Sequence, residues 1–357
     1  MRGIVPLVLI AALLFCAGAA HAERVVRTVA VTFDDLPGPP AALRANDVAT
    51  LRTNTKRLLA AFRSHHVPVV GFVNEGKLHV EGESPAQEQE RIAVLSLWLD
   101  AGHELGNHTY SHPSLNRTPL DAFEQDVLRG ETVTRGLLAE RGKTLRYFRH
   151  PFLQVGLDLD KRRAFEEFLH AHGYTIAPVT IDNDEYIYAA VYAGALRRGE
   201  RSVARKVGDD YLRYMETAVA FDEDVSRRLV GREIAQVLLL HANALNADHF
   251  DRLARIFERR GYRFVRLEDA LKDEAYALPD TYVGAWGISW LHHWEISAGR
   301  QRSPSPDPPA WIMKAYEGVS RSATSTPPAA DGSTAQQSIA PRSGALFRYI
   351  PLNKEGI

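Results

Sequence analysis

The chain is short of several things, and each shortage excludes a class of protein. One cysteine in 357 residues, Cys16, allows neither an intrachain disulfide nor a thiolate metal cage. Charge of one sign is not in excess: 43 Lys and Arg against 44 Asp and Glu leave a net charge of −1. That balance offers no footprint for nucleic acid or for an anionic membrane surface. No internal repeat is evident. At 45% hydrophobic and 24% charged residues, the chain is neither a disordered, collagenous nor coiled-coil protein, and it has material for a large core. The 14 histidines are the count that stands out.

Both ends differ from the middle. Arg2, the apolar run Ile4 to Phe15 and the Ala20-His21-Ala22 cleavage pattern read as a signal peptide over 1–22. The run is too short for a comfortable membrane span. The expectation is an exported protein, periplasmic or secreted, with no stable span after cleavage and no cysteine in the mature chain. Beyond about residue 300 the composition turns Pro/Ser-rich and then Ser/Thr/Ala/Pro-rich, so 320–357 is expected to be a disordered tail.

Between 24 and 272, short apolar runs alternate with amphipathic stretches. Strands are expected at Val25–Phe33, Val67–Val73, His103–His108, Leu145–Phe148, Tyr174–Thr180, Val237–Leu240 and Tyr262–Val265, with helices between them. One helix should span 119–139, and a long helical insertion should fill about 186–230. Seven β-α steps imply a parallel sheet, and a run of this length fits an α/β fold closed into a (β/α) barrel. Chemistry in such folds gathers where strands end, so polar residues there are the candidates.

Five strand ends carry them. Thr32-Phe33-Asp34-Asp35 closes the first strand, and it reads equally as a turn or as a pair of carboxylates with separate tasks. After the third strand come His108 and His112, four apart, with Pro113 disfavouring α conformation at His112. Two neutral imidazoles and one carboxylate make a catalytic zinc set, although an isolated histidine pair is more often surface or core. The overlapping Asn107-His108-Thr109 sequon is discounted. Arg149-His150-Pro151-Phe152 follows the fourth strand, and an arginine there suits a carboxylate partner. Asp182-Asn183-Asp184-Glu185-Tyr186 follows the fifth and reads alternatively as a helix start. Leu238-Leu239-Leu240-His241 ends a buried strand in histidine. Each is weak alone; in series they fall on one rim.

In this order the five stretches resemble the polysaccharide deacetylases of carbohydrate esterase family four, over roughly 28–270. The resemblance implies a distorted barrel of about seven parallel strands. It implies that Asp35, His108 and His112 hold a divalent metal, most often zinc, sometimes cobalt. Asp34 would be the catalytic base, Arg149 would orient it and hold it ionised, and His241 would be the general acid. The backbone N–H of Phe152 would help to bind the oxyanion, a contribution of about 3 kcal/mol for a good donor. Leu239, Tyr186 and Pro151 would line the substrate pocket. The family usually has Asp-Trp at the fourth stretch; here Glu185-Tyr186 stands there, so the partner that tunes His241 is sought among Asp182, Asp184 and Glu185, with the two aspartates as the first choices. The implied reaction hydrolyses N-acetyl groups of a GlcNAc-containing polysaccharide, of peptidoglycan or chitin type. An O-acetyl esterase and a non-catalytic carbohydrate-binding protein are the alternatives.

The stretch 273–319 is read as a C-terminal extension with a Trp-rich helix. Trp286, Trp290 and Trp294, four apart, would share one helical face, docked on the barrel or stacked on sugar rings. His292 and His293 are expected to face solvent, His150 to be an idle surface residue or a substrate contact, and His103 to give structural support.

Overall fold

A computed structural model describes residues 27–39 and 47–324. The signal-peptide assignment lies outside them, as does the tail beyond residue 324. No helix among the described residues is long and apolar enough to cross a membrane.

The seven described strands pair in parallel: β1 (Arg27–Leu36), β2 (Val69–Val73), β3 (Glu104–Asn107), β4 (Tyr147–Phe148), β5 (Thr175–Ile176), β6 (Gln236–His241) and β7 (Tyr262–Phe264). Their order is β5-β4-β3-β2-β1-β6, and β7 pairs with the start of β1. The sheet curls until the segment after β5 meets the far edge: Ile181 bridges Leu238 of β6, and the N–H groups of Thr180 and Ile181 both donate to Val237 O at 3.0 Å. That closure makes the distorted (β/α) barrel. β1 is buried from Val29 onward because strands and helices cover both of its faces.

Helices α1 (Val48–Ser64), α2 (Pro85–Asp100) and α8 (Ala244–Arg259) pack an aromatic cluster against β1. Phe62 lies 5.2 Å from Phe33 and 4.8 Å from Phe250, and Trp98 lies 5.7 Å from both Phe33 and Phe62. His103 meets Phe62 edge-on at 5.4 Å, the supporting position expected of it. Burial of each such ring contributes about 2 kcal/mol.

The helix expected over 119–139 is two, α3 (Leu120–Arg129) and α4 (Thr132–Ala139). They break at Gly130, where a Cβ would come within 2.5 Å of the Thr109 and Tyr110 backbone. That close approach pins the loop after β3. α5 (Leu159–Ala171) follows β4, and the expected insertion forms α6 (Glu185–Arg197) and α7 (Arg201–Val230). α9 (Leu267–Ala270) closes the barrel region; the extension contains α10 (Trp290–Ser297) and the start of α11 (Ala310–Thr324), so helix persists past residue 320, where a tail was expected to start.

Candidate active site

At the end of β1 the side chains of Asp34 and Asp35 part company. Asp34 is buried against Arg149, whose Nη1 lies 3.0 and 3.1 Å from its two carboxylate oxygens. Arg149 is fully buried, and its other donors are used as well: Nη2 to Thr32 Oγ1 at 3.0 Å and Nε to the Ala177 carbonyl at 2.8 Å. Its guanidinium lies over the Phe72 ring, 4.5 Å from the centroid. Burial pushes the Asp34 carboxyl up to about 6, against the attraction of Arg149 and His241. The carboxylate is therefore ionised at neutral pH yet basic enough to take a proton. Asp35 turns away at φ 69°, a left-handed conformation that is sparsely populated for a non-glycine residue. Burial alone would raise its pKa, but the Lys77 ammonium and the neighbouring imidazoles hold the carboxyl well below the usual range.

The loop after β3 is built to converge two imidazoles. Asn107 is wholly buried and donates to Val127 O at 3.0 Å and Tyr174 Oη at 2.8 Å, which rules it out as a glycan acceptor. Its Oδ1 accepts from Thr109 N at 2.6 Å, and Thr109 Oγ1 accepts from His112 N at 3.0 Å. Asn74 donates to the His108 carbonyl, and Asp126 accepts from the Tyr110 and Ser111 N–H groups at 3.0 and 2.9 Å. Thr109 and His112 take left-handed φ values of 67° and 57°, so the chain before Pro113 is a tight turn and not a helix. The two rings stand 4.8 Å apart.

Asp35, His108 and His112 each offer one donor atom, all within 4.8 Å of one another. They fit a divalent cation on chemical grounds. His108 Nδ1 lies 2.8 Å from the Arg149 carbonyl, an acceptor, so Nδ1 carries the proton and Nε2 keeps its lone pair. Burial pushes both histidines down, towards the neutral form that a metal requires. Asp35 Oδ1 is buried without a hydrogen-bond partner, although Lys77 Nζ stands 2.8 Å away. Lys77 belongs to none of the motifs read in the sequence; its place beside Asp35 comes from the turn after β2 (Glu75–Leu78).

His241 ends β6 and sits in register with Asp34 on β1. Its Nε2 is 4.0 Å from Asp35 Oδ2 and its Nδ1 is 2.8 Å from Glu185 Oε2. Glu185, and neither aspartate, is therefore the residue that holds His241. Asp184 instead engages Tyr214, whose hydroxyl accepts from the Asp184 N–H at 2.9 Å. Asp182 acts at longer range, on Arg149 and Asp222. The phase of α6 decides the matter: Asn183 Oδ1 accepts from Glu185 N at 3.1 Å and starts the helix there, aiming Glu185 inward. Asn243 and Asn246, at the start of α8, both donate to Glu185 Oε1. Burial alone would lower the His241 pKa, but Glu185, Asp35 and Asp34 outweigh it and push the imidazole up to about 9.

Phe152 follows Pro151 in a 3-10 turn (Pro151–Leu153), with φ 57° at Phe152 and 54° at Leu153. Its ring packs edge-on to His112 at 4.4 Å and is 53% exposed. Leu239 is buried in one cluster with Leu153, Val155 and Trp290. Tyr186 is partly exposed and meets Tyr316 of α11 edge-on at 6.3 Å.

Three histidines differ from expectation. His150 is buried between Phe148 and Phe165, at 5.2 and 5.5 Å, and burial pushes it down to about 3. His292 and His293 are buried as well, because α10 packs on both sides. His293 Nδ1 pairs with Asp280 at 3.0 Å, and Asp280 in turn pairs with Arg162 at 2.9 Å. Trp290 and Trp294 dock into the barrel, but α10 begins at Trp290, so Trp286 lies outside the helix and is 53% exposed.

Residues 21–176 match the family model for polysaccharide deacetylase, a span that includes Asp34, Asp35, His108, His112 and Arg149. Over 127 residues the chain is 28% identical to the peptidoglycan-N-acetylglucosamine deacetylase of Bacillus cereus, covering 36% of this chain and 37% of that protein. The match thus spans little more than a third of that curated relative. Among solved structures, a peptidoglycan deacetylase from Bacillus subtilis is 18% identical, covering 70% of this chain and 93% of its own, with a TM-score of 0.42. A family-four pseudoenzyme from Bacillus anthracis is 14% identical, covering 70% and 66%, with a TM-score of 0.44. From the motif residues gathered on one barrel rim and the family match that contains most of them, residues 21–176 are those of a polysaccharide deacetylase domain of the carbohydrate esterase family four type.

Proposed function

We propose that the protein is an exported, metal-dependent N-deacetylase that cleaves acetamido groups of a GlcNAc-containing polysaccharide, of peptidoglycan or chitin type, to acetate and free amine. The observation that carries this reading is the arrangement around Asp35, His108 and His112. A buried carboxylate, Asp34, adjoins this donor set, and a carboxylate-held imidazole, His241, lies 4.0 Å from Asp35. The metal is proposed to be zinc, with cobalt or another divalent ion as a substitute. Export rests on the signal-like residues 1–22.

A divalent ion in this donor set supplies Lewis acidity, polarising the acyl carbonyl and making a water more acidic. The protein's own groups do the rest. Asp34, ionised and held by Arg149, accepts the water proton at a carboxylate oxygen. His241, protonated at neutral pH through Glu185, donates from Nε2 to the departing amine. The N–H of Phe152, whose ring packs against that of His112, is assigned to stabilising the oxyanion. Leu239, Leu153 and Trp290 form an apolar cluster beside the site that suits an acetyl methyl and excludes water.

The test is acetate release by residues 23–357 from N-acetylchitooligosaccharides, first metal-stripped and then reloaded with zinc. Activity lost on stripping and restored on reloading supports the proposal. Turnover confined to O-acetyl esters would overturn the N-deacetylase assignment. Absence of both zinc binding and acetate release would overturn the proposal and make a non-catalytic carbohydrate-binding protein the leading reading.

A further inference from the structure

Trp286 and Phe152 are large aromatic residues held half in solvent, each 53% exposed. They belong to segments far apart in sequence whose backbones touch at the Phe152 turn. Gly287, next to Trp286, packs so closely on the Phe152–Leu153 peptide that a Cβ there would fall onto the Phe152 carbonyl oxygen. The Trp286 segment is not a loose loop. Asn116 Nδ2, four residues beyond His112, donates to the Gly284 and Ala285 carbonyls at 3.0 and 3.3 Å. Gly284 N donates to Gly156 O at 3.0 Å, and Tyr282 Oη donates to the Trp286 carbonyl at 2.7 Å. The backbone is thus bolted to the loops that carry His112 and Phe152, while the indole stays outside the core. Trp290 and Trp294, in the same extension, are buried as packing demands. Trp286 is left in solvent on a segment that is itself fixed beside the Phe152 turn.

We propose that Trp286 and Phe152 form a sugar-binding subsite that receives a pyranose ring of the polysaccharide adjacent to the residue whose acetamido group is cleaved. This deepens the proposed function and rests on it. The occupant follows from chemistry and place. An exposed aromatic face suits the C–H surface of a pyranose. The subsite is continuous with the metal-ligand set, since the Phe152 ring lies 4.4 Å from that of His112. A ring bound there must belong to the same chain as the reacting sugar. A rigidly mounted aromatic also loses little conformational freedom on binding. The extension therefore contributes to chain recognition, and the enzyme should prefer oligomers to the monomer.

The zinc-loaded enzyme and its W286A and W286F variants are compared on N-acetylchitotetraose and on N-acetylglucosamine, with V203A, which removes an exposed apolar side chain on α7, as a surface control. The KM of W286A for the tetramer should rise about tenfold, the loss of one stacked-ring contact, with the change in KM and not in kcat. W286F should recover most of it, and V203A should match the wild type. An unchanged tetramer KM in W286A, or an equal rise for the monomer, overturns the subsite. If the wild type releases no acetate from either saccharide, the deacetylase reading fails, and calorimetric binding of the tetramer decides the subsite alone. Binding that W286A loses supports it. Equal binding by both proteins, or none by the wild type, overturns it.

Discussion

Asp34 and His241 are register partners on neighbouring parallel strands, β1 and β6, so the proposed base and the proposed acid leave the same rim side by side. Burial pushes Asp34 up to about 6, while Glu185 and the aspartates push His241 up to about 9. Activity needs Asp34 without its proton and His241 with one. The pH profile of kcat/KM should therefore be a bell that rises through about 6 and falls through about 9. E185Q removes the carboxylate that raises His241, so its alkaline limb should move to lower pH while its acid limb stays. A profile with both limbs in place would remove Glu185 from the role of holding His241.

The two aspartates should separate by substitution. D35A and H112A remove donors from the cation set and should lose bound zinc together with activity. D34N should keep zinc and lose about a hundredfold to ten-thousandfold in kcat, the usual worth of a general base. Zinc content by elemental analysis beside acetate release distinguishes the cases. A D34N protein free of zinc would make Asp34 a ligand.

Asn246 is wholly buried and fully used: it donates to Glu185 Oε1 at 3.0 Å and to the His241 carbonyl at 2.9 Å, and it accepts from Tyr211 Oη at 2.7 Å. N246A leaves the buried Tyr211 hydroxyl without that partner and takes one donor each from Glu185 Oε1 and the His241 carbonyl, which keep Asn243, at a cost of about 1–3 kcal/mol. Thermal melting should show the loss. A melting temperature equal to that of the wild type would contradict the network.

Gly287 holds the Phe152 turn by having no side chain. G287A must displace the Phe152–Leu153 backbone, at a cost of about 1–3 kcal/mol. Because the metal ligands are untouched, zinc content should persist while kcat falls. Unchanged kcat would mean that the Phe152 N–H takes no part in stabilising the oxyanion.

Much of this was legible from residues alone. Alternating apolar and amphipathic stretches gave the parallel strands, and parallel strands put all their C-terminal ends on one rim. Hence Asp34, Asp35, His108, His112, Arg149 and His241 could be named before any coordinates, each being local to a strand end. Short strands were harder: β5 pairs over only two residues, and closure of the barrel passes to Ile181 through a single bridge. Gly130 broke a helix expected to be continuous, because the demand for a glycine came from the Thr109 backbone.

Contacts between distant segments were set by packing. Asp182, Asp184 and Glu185 carry equivalent carboxylates within four residues, and no local pattern tells which reaches His241, 56 residues on from Glu185. The phase of α6 and its packing beside α8 select Glu185. Lys77 reaches Asp35 because the turn after β2 folds beneath the end of β1. His150, His292 and His293 carry polar rings that sequence alone places at the surface; packing buries them, and Asp280 satisfies one nitrogen of His293. The three tryptophans share one spacing, yet α10 begins between the first and second, so two enter the core and one stays exposed. Side-chain chemistry and strand periodicity are local properties and can be read along the chain. Burial, partner choice and helix phase depend on what the rest of the chain brings alongside, and only the folded barrel assigns them.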